Sequence, residues 1–311
     1  MIIKTILSIA YYACSATEKE NRKKDLLHKL YYNGLKYSCM FVLTLYLKLL
    51  YAIRKNPIQP LTGKDFIVSI TTFPDRINGL WIVLDSIFRQ QLRPSKIVLV
   101  LTKEEFPQGM NAIPKSLKRL LNKGLDIVFT DYNLRPHNKY YYALSTFRHQ
   151  DVVTLDDDLY YWPDTIFRLY EIRKKHSDCI CANKVLRIVH KATNLVGYAH
   201  IKESSLNKES HSLMAQGVGG VLYPPTFRPH ELFNQELIKK YSIMNDDNWL
   251  KVHEAMNNIC VATGSFFPHP LVLLQSQRQA LFHQNTANNR SARITQSLLE
   301  YYHIENLIIN K

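Results

Sequence analysis

The sequence predicts an α/β protein, a mostly parallel sheet flanked by helices, preceded by an amino-terminal helical extension. Three observations carry the prediction. Short apolar, β-branched runs begin near Phe66, Lys96, Leu125 and Asp151, about 30 residues apart, which is the length of one strand-plus-helix repeat. Amphipathic stretches fill the gaps between them. The composition of the 311 residues, 46% hydrophobic and 21% charged with 11% aromatics, is that of a folded chain and too apolar for a disordered one. With 10 glycines and 13 prolines, collagen-like and low-complexity chains are excluded, and no run reaches the roughly 18 uninterrupted apolar residues of a membrane span.

The elements follow in chain order. Residues 1–16 are apolar, but Tyr11 and Tyr12 stand where a signal peptide needs small residues, and a Lys-rich stretch, Glu18 to Lys24, follows at once. Tyr37 to Ile53 collects Met40, Phe41, Val42, Leu43, Leu45, Leu47, Leu49 and Leu50, is interrupted by Lys48, and is closed by Arg54 and Lys55. Such a helix lies on a surface rather than spanning a bilayer. The surface is either a membrane, where Lys23, Lys24, Lys29, Lys36, Arg54 and Lys55 would each gain about 1 kcal/mol near anionic headgroups, or the body of a protein. Residues 1–55 are therefore expected to make peripheral membrane contact or to pack on protein. Asn56 to Pro60, with two prolines, reads as a linker.

Strand candidates then alternate with helices over Ile77 to Gln91, Ile113 to Leu121, Lys139 to Phe147 and Asp164 to Lys174. The first of these places Leu80, Val83, Leu84 and Ile87 on one face. Ligands of such sheets bind beyond the carboxyl ends of the strands. The fourth strand ends in Asp156-Asp157-Asp158, three carboxylates that repel one another unless a cation or several donors compensate them. An oxygen-rich cluster of this kind suits Mg2+ or Mn2+, which keep coordination positions open for substrate phosphates. A solvated acidic turn ahead of the helix near Pro163 is the alternative. Lys139 opens the helix after the third strand, where its ammonium and the helix amino end both favour phosphate, and Arg76 follows the first strand. Gly217, Gly219 and Gly220 mark either a close backbone approach to a ligand or a strand turn. No dinucleotide fingerprint and no phosphate-loop motif is present.

These residues, taken together, resemble the GT-A-fold, family-2-like glycosyltransferases, especially those of bacterial surface-polysaccharide synthesis. The resemblance covers residues 66 to about 283. It is carried by Val68 to Arg76, Ser86 to Gln90 with Pro94, Asn138-Lys139, Thr154 to Asp158, Gly217 to Pro225 and Asp246-Asp247-Asn248-Trp249-Leu250. It implies a GT-A (Rossmann-like) domain over 61–290, between an extension over 1–60 and a carboxy-terminal helix over 291–311. It implies a nucleotide-diphosphate sugar as donor, bound by Thr71, Thr72, Phe73, Arg76, Lys139, Asp156 and Asp157. The Asp triplet matches the family's DxD motif, which puts Asp156 near the ribose and Asp158, together with Asp156, on a Mn2+ or Mg2+ ion. Asp247 would be the base of an inverting reaction with Asp246 beside it, the first acid being Asp where the family usually has Glu. His283 would be a late metal or diphosphate ligand. The acceptor would be a glycan or lipid-linked glycan, and the place of work the cytoplasm, at the inner face of the cell membrane. Without the resemblance, Asn245-Asp246-Asp247 is also a good helix cap.

The net charge of +14, from 40 basic and 26 acidic side chains, admits other partners. A nucleotidyltransferase acting on sugar phosphates also places acids at strand ends, but Thr71 to Arg76 lacks its Gly-rich loop. A basic nucleic-acid-binding protein would cluster its cations with aromatics, whereas here they are spread, and no nucleic acid is expected. Cys14, Cys39, Cys179, Cys181 and Cys260 are odd in number and lack the short paired spacings of a zinc site, which predicts a reducing compartment and plain core packing for Cys179 and Cys181.

Overall fold

All four apolar runs are strands. In the computed structural model they are β1 (Lys64–Thr71), β2 (Pro94–Thr102), β3 (Leu125–Thr130) and β4 (Asp151–Thr154). The structure describes residues 58–190, 196–200, 207–265, 267, 271–273 and 290–304, with 34, 38, 41, 42 and 44–49 nearer the amino terminus. Residues 66–70 of β1 are all buried, as a strand covered on both faces requires.

Between these strands lie α1 (Leu80–Phe88) and α2 (Asn138–Thr146), and after β4 come β5 (Leu159–Tyr160) and α3 (Thr165–Lys175). The first expected helix is divided, because a turn Pro74–Ile77 stops ahead of Asn78-Gly79 and α1 restarts beyond it; glycine is a poor residue to carry a helix through. The second shrinks to the turn Lys115–Lys118, bounded by Pro114. Further strands are β6 (Ile180–Ala182), β7 (Val185–His190), β8 (Val196–His200), β9 (Glu209–Ser210), β10 (Leu213–Ala215) and β11 (Val221–Tyr223). The chain continues with α4 (Asp246–Met256), β12 (Val261–Thr263), β13 (Leu271–Val272) and α5 (Arg290–Tyr302).

The central sheet runs β3-β2-β1-β4-β11-β6-β12-β9. Strands β3, β2, β1, β4, β6 and β12 share one direction, and β11 and β9 oppose it. The expected α/β architecture with a mostly parallel sheet is therefore the one observed. One apolar layer packs α1 and α3 on the sheet, and the other packs α2, α4 and α5. Helices 1 and 3 are joined by Gln90, which donates to the Trp162 carbonyl (2.7 Å) and accepts from Ile166 N (3.0 Å), while Ser86 Oγ accepts from Tyr161 N (3.2 Å). The chain just beyond the Asp triplet is thereby held against α1.

In the amino-terminal segment, residues 41, 42 and 44–49 are helical. Leu47 and Thr44 are buried, with Leu47 part of the core, while Phe41, Val42, Leu45 and Leu49 are more than half exposed. Positions 41, 45 and 49 recur every four residues and so share one face. Among the described residues, no helix is long and apolar enough to cross a membrane.

Cysteine pairing departs from expectation. Cys181 is a buried free thiol, but Cys179 is joined to Cys260 in a disulfide. Strands β6 and β12 are parallel neighbours, so the residues immediately ahead of each meet, with Cα atoms 5.0 Å apart. Pairing across 81 residues of sequence is invisible without the sheet order, and the inference of a reducing compartment loses the support it drew from the cysteine count.

His253 of α4 is fully buried against Trp249 and Tyr302, and among the described residues neither ring nitrogen has a hydrogen-bond partner. Burial depresses its pKa to about 3. A base with a depressed folded pKa lends stability above its unfolded value of about 6.5, and that contribution is lost as pH falls toward 3. We expect His253→Leu to raise stability by about 1 kcal/mol at neutral pH, since an unpaired polar group leaves the core. It should also flatten the decline in melting temperature between pH 6.5 and 4. An unchanged acid limb would show that other groups govern it.

Candidate active site

The carboxyl ends of β1 and β4 lie side by side, in register from Phe66–Asp151 to Ser69–Thr154. Consequently Thr72 to Arg76 and the triplet Asp156 to Asp158 leave the sheet together. The middle carboxylate is committed to structure: Thr72 Oγ1 donates to Asp157 Oδ2 and Arg76 Nη1 to Asp157 Oδ1, both at 2.5 Å. Arg76 also reaches Asp158 Oδ2 at 3.3 Å and lies over the Phe73 ring, 5.0 Å from its centroid. Thr71 turns away, its hydroxyl donating to the Val100 carbonyl at 2.8 Å. The outer carboxylates, Asp156 and Asp158, are the more exposed members, at 27% and 21% against 9% for Asp157.

From the other side comes α2. Ser69 Oγ donates to the Lys139 carbonyl (2.5 Å), and Asn138 Oδ1 accepts from Leu134 N (3.0 Å), so the helix start is pinned to β1 and to its own preceding turn. Lys139 Nζ then sits between two acids, 2.7 Å from Asp156 Oδ1 and 2.9 Å from Asp246 Oδ2. The spacing that suggested a helix cap also holds, because Asn245 accepts from Asn248 N at 3.1 Å. With Asn245 filling the capping role, Asp246 and Asp247 occupy the first turn and are left for other duties.

Gly217 closes the cluster. A Cβ there would lie 3.0 Å from Lys139 Nζ and 3.3 Å from Asp156 Oδ1, so a side chain would press on the ion pair. Its N–H donates to Asp247 Oδ1 at 3.3 Å. Gly220, at φ +81°, makes the turn into β11, and a Cβ would stand 2.8 Å from Leu155. The glycine concentration thus serves both readings, a turn and a close approach to the acids.

Electrostatics divides the carboxylates. Burial pushes Asp158 up to about 7, and the neighbouring Asp157 pushes the same way against the counteracting Arg76. Burial also raises Asp246, but Lys139, His137 and hydrogen bonding together outweigh it and hold the carboxyl below the ordinary range. Asp247 lies well above that range, through burial and then the charge of Asp246, with Lys139 opposing. His137, buried behind Lys139, bonds to Tyr140 Oη (2.9 Å) and to the Ser242 carbonyl (2.7 Å), and burial lowers its pKa to about 4.

The triplet does not make a three-ligand set. Among the described residues, the one group of three ligand atoms that all approach within 4.8 Å of one another is Cys179, Glu209 and Cys260, away from this cluster. Asp157 is the most buried of the three and is held by Thr72 and Arg76; Asp156 and Asp158, paired with Lys139 and Arg76, are the more exposed and are the two that fit a cation. Two carboxylates with phosphate oxygens completing the shell are what Mg2+ and Mn2+ commonly use. His283 lies outside the described residues.

Sequence reasoning placed Thr72, Phe73, Arg76, Lys139, Asp156, Asp157, Asp158, Asp246 and Asp247 in one neighbourhood, and they are together. It missed Ser69, Tyr161 and Asn183. Tyr161 Oη accepts from Asp156 N (2.7 Å), and Asn183 Nδ2 donates to the Thr165 and Gly219 carbonyls (3.1 and 3.0 Å), holding the turn that carries Gly217. Nothing in the sequence around Asn183 marks it. The aromatic Tyr161, three residues past the triplet, was the available signal for the other.

The fold is thus α/β: a mixed, mostly parallel eight-stranded sheet flanked by helices, with acids beyond the carboxyl end of β4. No family model and no curated protein compared with the chain matches it. Among solved structures it is similar to S. aureus TarS, residues 1–349, at 14% identity over 78% of this chain and 72% of TarS, with a TM-score of 0.44. The complex of that protein with UDP-GlcNAc aligns at 13% identity, 79% and 74% coverage and the same TM-score. So does 4-diphosphocytidyl-2C-methyl-D-erythritol synthase from Anaerococcus prevotii, at 13%, 73% and 99%. These are likenesses of shape, and the functional reading rests on the residues.

Proposed function

We propose that the chain is a metal-dependent, inverting glycosyltransferase, moving a sugar from a nucleotide-diphosphate donor to a glycan or lipid-linked glycan in cell-surface polysaccharide synthesis. The observation that carries this reading is the meeting of two acidic groups across Lys139: Asp156 and Asp158 on one side, Asp246 and Asp247 on the other. A Mn2+ or Mg2+ ion held by Asp156 and Asp158 would neutralise charge growing on the diphosphate as the sugar departs. Lys139 and Arg76 add positive charge to the same end of the site. Asp246, kept ionised by Lys139, raises the proton affinity of Asp247, which suits Asp247 to take the acceptor hydroxyl's proton. Gly217 N–H, donating to Asp247, fixes the direction of that carboxylate.

The test is thermal melting of the purified chain against a panel of nucleoside diphosphates, with and without Mn2+. One diphosphate should raise the melting temperature in a Mn2+-dependent way, by about 2.7 kcal/mol of stability at 100 times its Kd. Asp158→Asn should abolish the dependence on Mn2+. If no diphosphate stabilises the chain, or the substitution changes nothing, the reading fails. Pyrophosphate release from a nucleoside triphosphate and a sugar phosphate would favour the nucleotidyltransferase instead.

We place the enzyme in the cytoplasm at the inner membrane face, through the helix that exposes Phe41, Val42, Leu45 and Leu49. Because these side chains are exposed, Phe41→Glu with Leu45→Glu should leave the melting temperature unchanged and abolish co-sedimentation with anionic liposomes. Undiminished co-sedimentation would remove this face from the membrane contact.

A further inference from the structure

At the amino ends of β6 and β12, opposite the strand end that carries the acids, three groups with metal-binding chemistry converge, and a histidine joins one of them. Cys179 and Cys260 precede β6 and β12, Glu209 opens β9, and His176 ends α3. The backbone sets them in place: Ile180 N donates to the Cys260 carbonyl (3.0 Å), Ala262 pairs with Glu209 across the edge, and Cys179 N donates to the His176 carbonyl (3.3 Å). Glu209 Oε2 then lies 3.3 Å from Cys179 Sγ and 2.5 Å from His176 Nδ1. The two sulfurs and the carboxylate oxygen are all within 4.8 Å of one another.

The disulfide alone does not account for this arrangement. A disulfide sulfur has neither a proton nor a charge to offer a carboxylate, so the Glu209 contact gains nothing from it. Two thiolates and a carboxylate oxygen are, however, three of the four donors of a tetrahedral zinc site, with the fourth position left to water, and His176 Nδ1 holds the carboxylate as an outer partner. We infer that the Cys179–Cys260 pair exchanges between two states, the disulfide and, once reduced, a Zn2+ site in which Glu209 is the third protein ligand and His176 orients that carboxylate. The step balances with a dithiol reductant. Two electrons pass from its sulfurs to the Cys179–Cys260 bond, its own disulfide forms, and the two thiols released lose their protons to solvent as zinc binds. Zinc then replaces the covalent bond as the clamp between neighbouring strands β6 and β12. This inference is independent of the sugar-transfer reading.

The experiment uses the full chain, oxidised or reduced with a phosphine, and titrated with Co2+ as a spectroscopic substitute for zinc. The reduced chain should take up one equivalent with thiolate-to-cobalt charge-transfer absorption and the intense d–d bands of a tetrahedral site. Zn2+ should displace the cobalt and raise the melting temperature of the reduced chain, while the oxidised chain should show no such band. Cys260→Ser should lose the band and Cys181→Ser should keep it. Glu209 is exposed, so Glu209→Gln keeps the fold and should weaken cobalt binding by about 10-fold or more, the least effect expected of a coordinating carboxylate. A pair that resists reduction, a reduced chain without the thiolate band, a band that survives Cys260→Ser, or unchanged affinity in Glu209→Gln would each overturn the inference.

Discussion

Asp247→Asn should lower kcat by about 10²- to 10⁴-fold, the usual contribution of a general base, while leaving the KM for the donor nearly unchanged. The substitution is close to isosteric, and Asn can still accept from Gly217 N–H through its carbonyl oxygen, so the fold and the glycine turn are kept. What it removes is the proton acceptor of raised affinity that stands beside the ionised Asp246. The pH profile supplies the second half of the argument. A base works deprotonated, so the rate rises with pH through the folded pKa of Asp247 and levels off above it. Burial and Asp246 place that rise well above the ordinary carboxylate value of about 4. Release of nucleoside diphosphate, followed against pH for the donor that stabilises the protein, checks both halves. An unchanged rate in the variant would transfer the role of base elsewhere, and Asp246→Asn would be the next substitution to test.

Lys139→Met should cost about 3–5 kcal/mol of folding stability and eliminate donor binding. Its side chain is only 8% exposed, and the ammonium neutralises Asp156 and Asp246 at once. Removing one member of a buried ion pair strands the other's charge away from water, which is far more costly than replacing the whole pair. Methionine nearly preserves the volume, so the loss reports charge and not a cavity. The second arm is a double substitution: Lys139→Met with Asp246→Asn should recover at least 1 kcal/mol in urea unfolding, because less charge is then left unpaired. Additive losses would show that Lys139 and Asp246 are not coupled and would break the link on which the division between Asp246 and Asp247 depends. Asp246 would also cease to be held below the usual carboxylate range, so its share of the stability lost on acidification should disappear and the acid side of the stability curve should flatten in the single variant.

Much of this was legible in the residues because strand and helix patterns are local. The runs at Phe66, Lys96, Leu125 and Asp151 became β1 to β4 within two residues of their expected starts. Helix lengths were less legible, since Gly79 and Pro114 cut what apolar periodicity alone would have extended. The site was partly visible: charges in a row at a strand end demand compensation, and so Asp156 to Asp158 drew attention. Which cations compensate which acids was not visible. Arg76 was expected on a diphosphate and is engaged with Asp157 and Asp158, and Lys139 bridges two acids 90 residues apart in sequence.

The sequence by itself determined that this is an α/β protein with acids at the strand ends, because side-chain periodicity and strand-end chemistry depend on neighbours along the chain. Only the tertiary structure decided the pairings. Strands β1 and β4 lie side by side, so Asp157 falls to Thr72 and Arg76, while Asp156 pairs with Lys139 and Asp158 with Arg76. Strands β6 and β12 are neighbours, so Cys179 meets Cys260 rather than packing as a free thiol. The physical reason is the same in both cases. Ion pairs, disulfides and ligand sets act over a few ångströms of space, and strand order, set by burial of the whole sheet, determines which distant residues come within that reach.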